Sequence, residues 1–331
     1  MQTKNFKIIS TLGPSSLTQN FLDTIKKHHQ LHLRFNFSHL GIQKLSDYLN
    51  FVENSFLNQK LTYYLDLPGK KMRIGHLKKP YPLTNNQEVR LIQGDKPGLT
   101  HIPIPSKALF NLITTDDLIL LQDGIIKLQV LSRSQEQLKA RVIQGGILRS
   151  LAGIIVHQKP ELSNENPNLI NSILKFAQNR HIDYLALSYI TSSSDIEDLR
   201  QSCAQLSYYP KITAKIEHPL ALNNLNNICN QADEIWYCRG DLGVFISPRE
   251  LAKWQDKTIK IATKNQKPVL VAGQVFQYLT EHIYPTRTEV VHFMKILDDG
   301  ANGIVLSDET AIGRHSEKAA EAVFSLLKEI T

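Results

Sequence analysis

Two short stretches carry residues whose types and spacing suit chemistry. Ala214-Lys215-Ile216-Glu217 closes one apolar, strand-like run. Arg239-Gly240-Asp241-Leu242-Gly243 closes the next, about two dozen residues on. Lys215 and Glu217 are two apart, so on a strand they point to the same face. Asp241 falls where the following strand would end. A cation and two carboxylates at one rim make a place for a divalent metal and a phosphorylated substrate. Glu217 and Asp241 are hard oxygen donors that leave positions for water and substrate oxygens, as Mg²⁺ prefers. Taken singly, Glu217 reads equally as a surface ion pair; beside Lys215 and Asp241, metal binding is the stronger reading.

Other candidates lie on similar strand ends. In Arg34-Phe35-Asn36-Phe37-Ser38-His39 the polar Arg34, Asn36 and Ser38 alternate with two phenylalanines. An arginine on such a strand is rarely buried without an anionic partner, either a phosphate or carboxylate ligand or an internal Asp. Asp66 ends a third run and leads to Lys70-Lys71-Met72-Arg73, and Ser188 lies near the end of a fourth. Gly240 and Gly243 flank Asp241-Leu242, where a small helical turn would offer backbone N–H groups to an anion.

These ends need a frame. Strand-like runs at Lys7–Leu12, His32–Phe37, Leu61–Leu67, Tyr184–Ile190, Lys211–Glu217, Glu234–Arg239, Pro268–Ala272 and Gly303–Ser307 alternate with helix-like segments. Among those segments are Gln19–Lys27, Ile42–Phe56, Asn168–Gln178, Asp195–Leu206, Leu220–Asn230, Glu250–Lys264, Thr288–Leu297 and Glu317–Ile330. Eight β/α units in series predict an α/β fold, a (β/α)₈ TIM barrel, with its chemistry at the C-terminal strand ends. From about His76 to Gln158 helical periodicity is absent. Pro80-Tyr81-Pro82, Asp116-Asp117, Asp123-Gly124 and Gly145-Gly146 punctuate alternating runs such as Ile125–Leu131. That predicts a small all-β domain inserted after the third strand, placed to act as a lid. The expected division is residues 1–75 and 159–331 for the barrel and 76–158 for the insert.

At 331 residues and 42% hydrophobic, the chain can bury one large core and a smaller one. A formal charge of +7 suits anionic ligands, yet no Lys/Arg run resembles a nucleic-acid arm. No apolar stretch is long enough to span a bilayer, and the first residues lack a signal-peptide core. Cys203, Cys229 and Cys238 have no metal-like spacing. A reduced, cytoplasmic setting with no membrane partner is the expectation.

The motifs together resemble the pyruvate kinase family. Ile9-Ser10-Thr11-Leu12-Gly13-Pro14-Ser15-Ser16 is similar to its first strand and loop, and Arg34–His39 to its substrate-arginine motif. The Lys215 and Asp241 segments are similar to its catalytic segments. Pro285-Thr286-Arg287-Thr288-Glu289-Val290 and Leu306-Ser307-Asp308-Glu309-Thr310-Ala311 follow in the family's order. The resemblance implies phosphoryl transfer from phosphoenolpyruvate to ADP, giving pyruvate and ATP. It implies Mg²⁺ or Mn²⁺ on Glu217 and Asp241, and Lys215, Arg34 and Arg73 as catalytic groups. Arg34, Lys215, Ser188, Gly240, Asp241 and Gly273 would bind substrate. Asn36, His39 and Arg73 would face the nucleotide, with Asp123 near that side. Asn36, Ser38, Asp66 and Lys71 would form the monovalent-cation corner.

The chain departs from the family's pattern in several places. Lys71 stands where the family usually has Glu, with Leu67 and Ile74 as accompanying apolar changes; this resembles a branch that does not need K⁺, the ammonium supplying that charge. Gly273 replaces a threonine placed near the carbon that gains a proton. Glu165 stands at a nucleotide-side lysine. Asp308 replaces a glycine, and His292 and Lys295 replace small polar residues. The family's C-terminal regulatory domain has no counterpart in this sequence, so sugar-phosphate activation is not expected there. Self-association through the barrel stays open. Two alternatives stay open beside a working pyruvate kinase: a barrel enzyme using phosphoenolpyruvate or a 2-oxo acid without ADP, and a non-catalytic binding or regulatory homologue.

Overall fold

A computed structural model describes residues 6–28, 31–56, 59–69, 72–122, 124–157, 159 and 167–330. It divides into two compact units, residues 1–69 with 167–331, and residues 70–166. In the first unit eight parallel strands close a barrel: β1 (Lys7–Leu12), β2 (His32–Asn36), β3 (Thr62–Asp66), β4 (Tyr184–Leu187), β5 (Lys211–Ile216), β6 (Glu234–Cys238), β7 (Val269–Ala272) and β8 (Gly303–Leu306). They follow one another around the barrel in chain order, and β8 closes on β1. The TIM-barrel expectation holds.

The strand period of two separates the barrel's faces. Ile9, Tyr64, Tyr184, Ala186, Trp236, Leu270 and Val305 form one buried cluster, while Ile8, Leu33, Leu65, Leu185, Ile235 and Ile304 pack with the helices in another. Helix Gln19–Lys26 seats Phe21, Leu22 and Ile25 on that outer layer. Each such side chain contributes roughly 1.5–3 kcal/mol on burial. Sequence-local chemistry starts several helices. Ser247 with Glu250, and Thr286 with Glu289, form capping boxes ahead of Pro248–Lys264 and Arg287–Asp298.

Boundaries shift where tertiary packing overrides composition. β2 stops at Asn36, whose side chain caps the helix Phe37–Ser55, so Ser38 is helical rather than a continuation of the strand. That helix breaks at Gly41, whose φ of 67° is outside helical range. β4 ends at Leu187, before the expected Ile190, and Leu220–Asn230 resolves into two short helices, Pro219–Asn223 and Leu225–Gln231.

The second unit is β-built around its own core. A six-stranded sheet contains Glu88–Gln93, Ile102–Ile104, Leu118–Leu121, Ile126–Arg133, Gln137–Gln144 and Ile154–Val156, and a two-stranded sheet pairs Tyr81–Leu83 with Gly146–Leu148. Ile126, Leu128 and Val130 alternate inward, as the sequence pattern requires. The unit is not wholly β: Lys107–Leu112 forms a short helix capped by Ser106. Six residues are too few to print a helical period.

Candidate active site

The C-terminal ends of β2 to β5 bring Arg34, Asp66, Ser188, Lys215 and Glu217 into one buried hydrogen-bonded chain. Asp66 is its hub. Its Oδ2 accepts from Arg34 Nε at 2.9 Å and Nη2 at 2.5 Å. Its Oδ1 accepts from Lys215 Nζ at 3.0 Å and Ser188 Oγ at 3.0 Å. Lys215 also donates to Ser188 Oγ at 2.8 Å and to Glu217 Oε1 at 2.8 Å. Its ammonium thus has three acceptors for three protons. Arg34 sends Nη1 to Thr11 Oγ1 at 2.9 Å, and its guanidinium lies 5.9 Å from the Trp236 ring centroid. Register explains the meeting: Arg34 pairs with Thr11 on β1, and Asn36 pairs with Asp66 on β3.

The electrostatics follow from that geometry. Burial alone would lower the pKa of Lys215, but Asp66 and Glu217 outweigh it and raise it, so the ammonium stays charged. Burial alone would raise Asp66; Lys215 and Arg34 outweigh it and hold the carboxyl below its usual range. Glu217 goes the other way. Burial pushes it up, Lys215 opposes, and Asp241 and Asp66 push it further. A buried carboxylate with its charged form disfavoured, beside a second carboxylate, fits a divalent cation. The donor set is all hard oxygen, as Mg²⁺ prefers. Among the described residues no cluster of three His, Cys, Asp or Glu is arranged for a metal, so a zinc-type cage is not seen there.

The Ser188-Tyr189 turn joins the two carboxylates. Tyr189 N–H donates to Glu217 Oε2 at 2.9 Å, and its hydroxyl donates to Asp241 Oδ1 at 2.6 Å. Its φ is +53°, left-handed for a bulky side chain. Such a backbone costs about 1–3 kcal/mol and persists where the surroundings demand it. Sequence reasoning passed over this residue because the run Tyr184–Ile190 reads as continuous strand; its place directly after Ser188 was the available signal. Thr11 was missed likewise.

The remaining candidates distribute as follows. Gly240 and Asp241 lie in the short helix Arg239–Phe245 after β6. Arg239 is tied down, Nε and Nη2 donating to the Gly273 carbonyl at 2.8 and 2.6 Å, with His292 Nδ1 3.2 Å from Nη1. Burial pushes its guanidinium down to about 10. Gly273 has φ +86°, and a Cβ there would lie 2.9 Å from the Gly240 nitrogen. The absent threonine therefore has a backbone reason. Asn36 Oδ1 accepts from Ser38 N–H at 3.1 Å, a helix cap, while Ser38 and His39 are exposed. Arg73 belongs to the second unit, bridging Gly153 and donating to the Leu151 carbonyl at 2.9 Å. Lys295 pairs with Asp299, and Asp308 opens the short helix Asp308–Ala311. Lys71, Asp123 and Glu165 lie outside the described residues.

Comparison with known proteins decides the family. A family model described as the pyruvate kinase barrel domain matches residues 3–320. The chain belongs to the pyruvate kinase family. Pyruvate kinase from Thermococcus litoralis is 32% identical over 97% of this chain and 69% of its own length. Pyruvate kinase from Buchnera aphidicola is 30% identical over 97% of this chain and 68% of its own length. That of Chlamydia pneumoniae is 27% identical over 98% and 68%. A pyruvate kinase-type barrel accounts for the eight-stranded order seen here and for the position of the β insert between β3 and β4. Among the described residues no helix is long and apolar enough to cross a membrane.

Proposed function

We propose that this chain transfers the phosphoryl group of phosphoenolpyruvate to ADP, giving pyruvate and ATP. The unbroken chain Arg34–Asp66–Lys215–Glu217 carries this reading. Glu217 and Asp241 are the residues that would hold Mg²⁺, which would supply positive charge to the transferring group.

The protein's own part is positioning and charge. Asp66 and Glu217 keep Lys215 protonated and aim its ammonium along the strand-end rim. Of Lys215's three acceptors, only the Ser188 hydroxyl is neutral, so its bond lacks the charge–charge attraction that Asp66 and Glu217 add. Exchanging that bond for a phosphoryl oxygen therefore costs least. Arg34 uses three of its N–H groups internally, and a guanidinium carries five, so two remain for an anion. Gly273 offers no hydroxyl, which leaves protonation of the enolate carbon to water or another donor. On the family resemblance, Asn36, His39 and Arg73 serve the nucleotide, and Lys71 stands in for K⁺.

The test is direct. Protein is mixed with phosphoenolpyruvate, ADP and Mg²⁺ without Na⁺ or K⁺, and pyruvate and ATP are followed together. Matched production of both is expected. Phosphoenolpyruvate binding without ATP formation would favour a barrel enzyme that does not use ADP. Failure to bind either phosphoenolpyruvate or metal would sink the proposal.

A further inference from the structure

We infer that Tyr189 is a positioning residue that sets the geometry of the Glu217–Asp241 pair for its divalent ion. The inference rests on reading that pair as the metal site. Glu217 directly follows β5 and Asp241 lies in the short helix after β6, so the two carboxylates come from different strand ends. One residue from a third strand end reaches both. Its backbone N–H holds Glu217 Oε2 at 2.9 Å and its phenol holds Asp241 Oδ1 at 2.6 Å.

Three observations separate this from ordinary packing. First, the contact to Glu217 uses a left-handed backbone, φ +53°, on a bulky side chain. That conformation is uncommon outside glycine and asparagine and clusters where a site imposes it. Second, the neighbouring loop makes room for the ring. A Cβ on Gly69 would lie 2.9 Å from Tyr189 Cδ2, so only glycine allows the ring its position. Third, Tyr189 follows Ser188, whose hydroxyl donates to Asp66 and receives from Lys215. Two consecutive residues therefore orient the acid hub, the ammonium and both metal-side carboxylates. Hydrogen bonds to metal-ligating groups orient them, and losing one typically costs 10–100-fold in metal affinity.

The experiment measures Mn²⁺ binding to the full chain without substrates, by electron paramagnetic resonance, beside the metal-free melting temperature. Tyr189→Phe removes only the hydroxyl and keeps the ring. It is expected to weaken Mn²⁺ by about 10–100-fold while metal-free melting stays near wild type. In turnover assays the Mg²⁺ concentration for half-maximal rate should rise more than kcat falls. Tyr189→Val also resists the left-handed backbone, so it should bind Mn²⁺ more weakly still. Tyr189→Phe binding within twofold of wild type, while Asp241→Asn abolishes binding, would overturn the positioning role and leave the metal site standing. Wild type and Asp241→Asn binding alike would overturn the metal site and this inference with it.

Discussion

At the base of the barrel lumen Lys7 pairs with Glu234, and Glu234 also receives the Trp236 indole N–H at 2.8 Å and the Thr213 hydroxyl at 3.4 Å. Tyr64 stacks on Tyr184 at 4.2 Å and leans on Trp236, with Lys7 and Lys211 near the Tyr184 ring. At the rim, Lys215 is shared between two carboxylates, and Asp66 between two cations. The base closes a pair with the barrel's own donors and seals it with aromatic surface. The rim spreads charge through a chain and leaves Glu217 pushed upward. Burying charge in a pair serves stability only when every lone pair is met. Holding a buried carboxylate in a disfavoured charged form makes sense where a ligand completes it.

Substitutions at the two ends should separate these roles. The largest effect is expected from Lys215→Met, with phosphoryl transfer falling on the order of 10³-fold or more, read as kcat at saturating Mg²⁺. Comparable turnover would remove the rim from the chemistry. Lys7→Met should leave kcat unchanged and cost roughly 3–4 kcal/mol in chemical denaturation, because it strands buried Glu234; Lys7 is 21% exposed, which keeps the value at the low end for a buried pair. A loss of activity without a loss of stability would reverse the assignment of the two ends.

The base also predicts a pH response. Burial, with Lys7 adding to it, pushes His32 down to about 4 from 6.5. The folded state thus binds fewer protons than the unfolded one between those values. Its contribution is present above about 6.5 and is lost as pH falls towards 4, with an upper bound of roughly 3 kcal/mol. His32→Gln should flatten that part of the stability profile, and an unchanged slope would count against it. The smallest effect is expected from Gly273→Thr. Restoring a hydroxyl to the rim should lower stability by roughly 2 kcal/mol, since φ +86° disfavours a β-branched residue and its Cβ meets Gly240. A gain in turnover at unchanged stability would show that the rim backbone adapts.

Much of the rim was legible in the sequence because it rests on strand periodicity. Lys215 on β5 with Glu217 two residues on, just past the strand's end, and Arg34 on β2 are set on the rim by the strand period of two. The sequence leaves Arg34 either a ligand or an unspecified internal Asp as partner; the structure places Asp66 on the arginine, and the register of β2 with β3 brings the two strand ends level. What stayed hidden depends on tertiary context. An apolar run continues past Leu187, so nothing local marks Tyr189 as left-handed; Glu217 and Asp241 impose that from other strands. Helix Lys107–Leu112 hid for a different reason, being shorter than two helical turns.

The insertion between β3 and β4 has a consequence for how the chain is made. Tyr64 and Tyr184 are paired across that gap, 120 positions apart, whereas the sheets of residues 70–166 are contiguous. Contacts that span a long intervening chain pay the entropy of loop closure before they are rewarded, and domains generally fold as units. During synthesis the insert is complete while three barrel strands still wait with β3 as an open edge. Pulse-labelled hydrogen exchange should find amides of the six-stranded sheet protected before those of the β3–β4 seam. Destabilising the insert should then slow barrel closure, although no residue of the rim chain described above belongs to it.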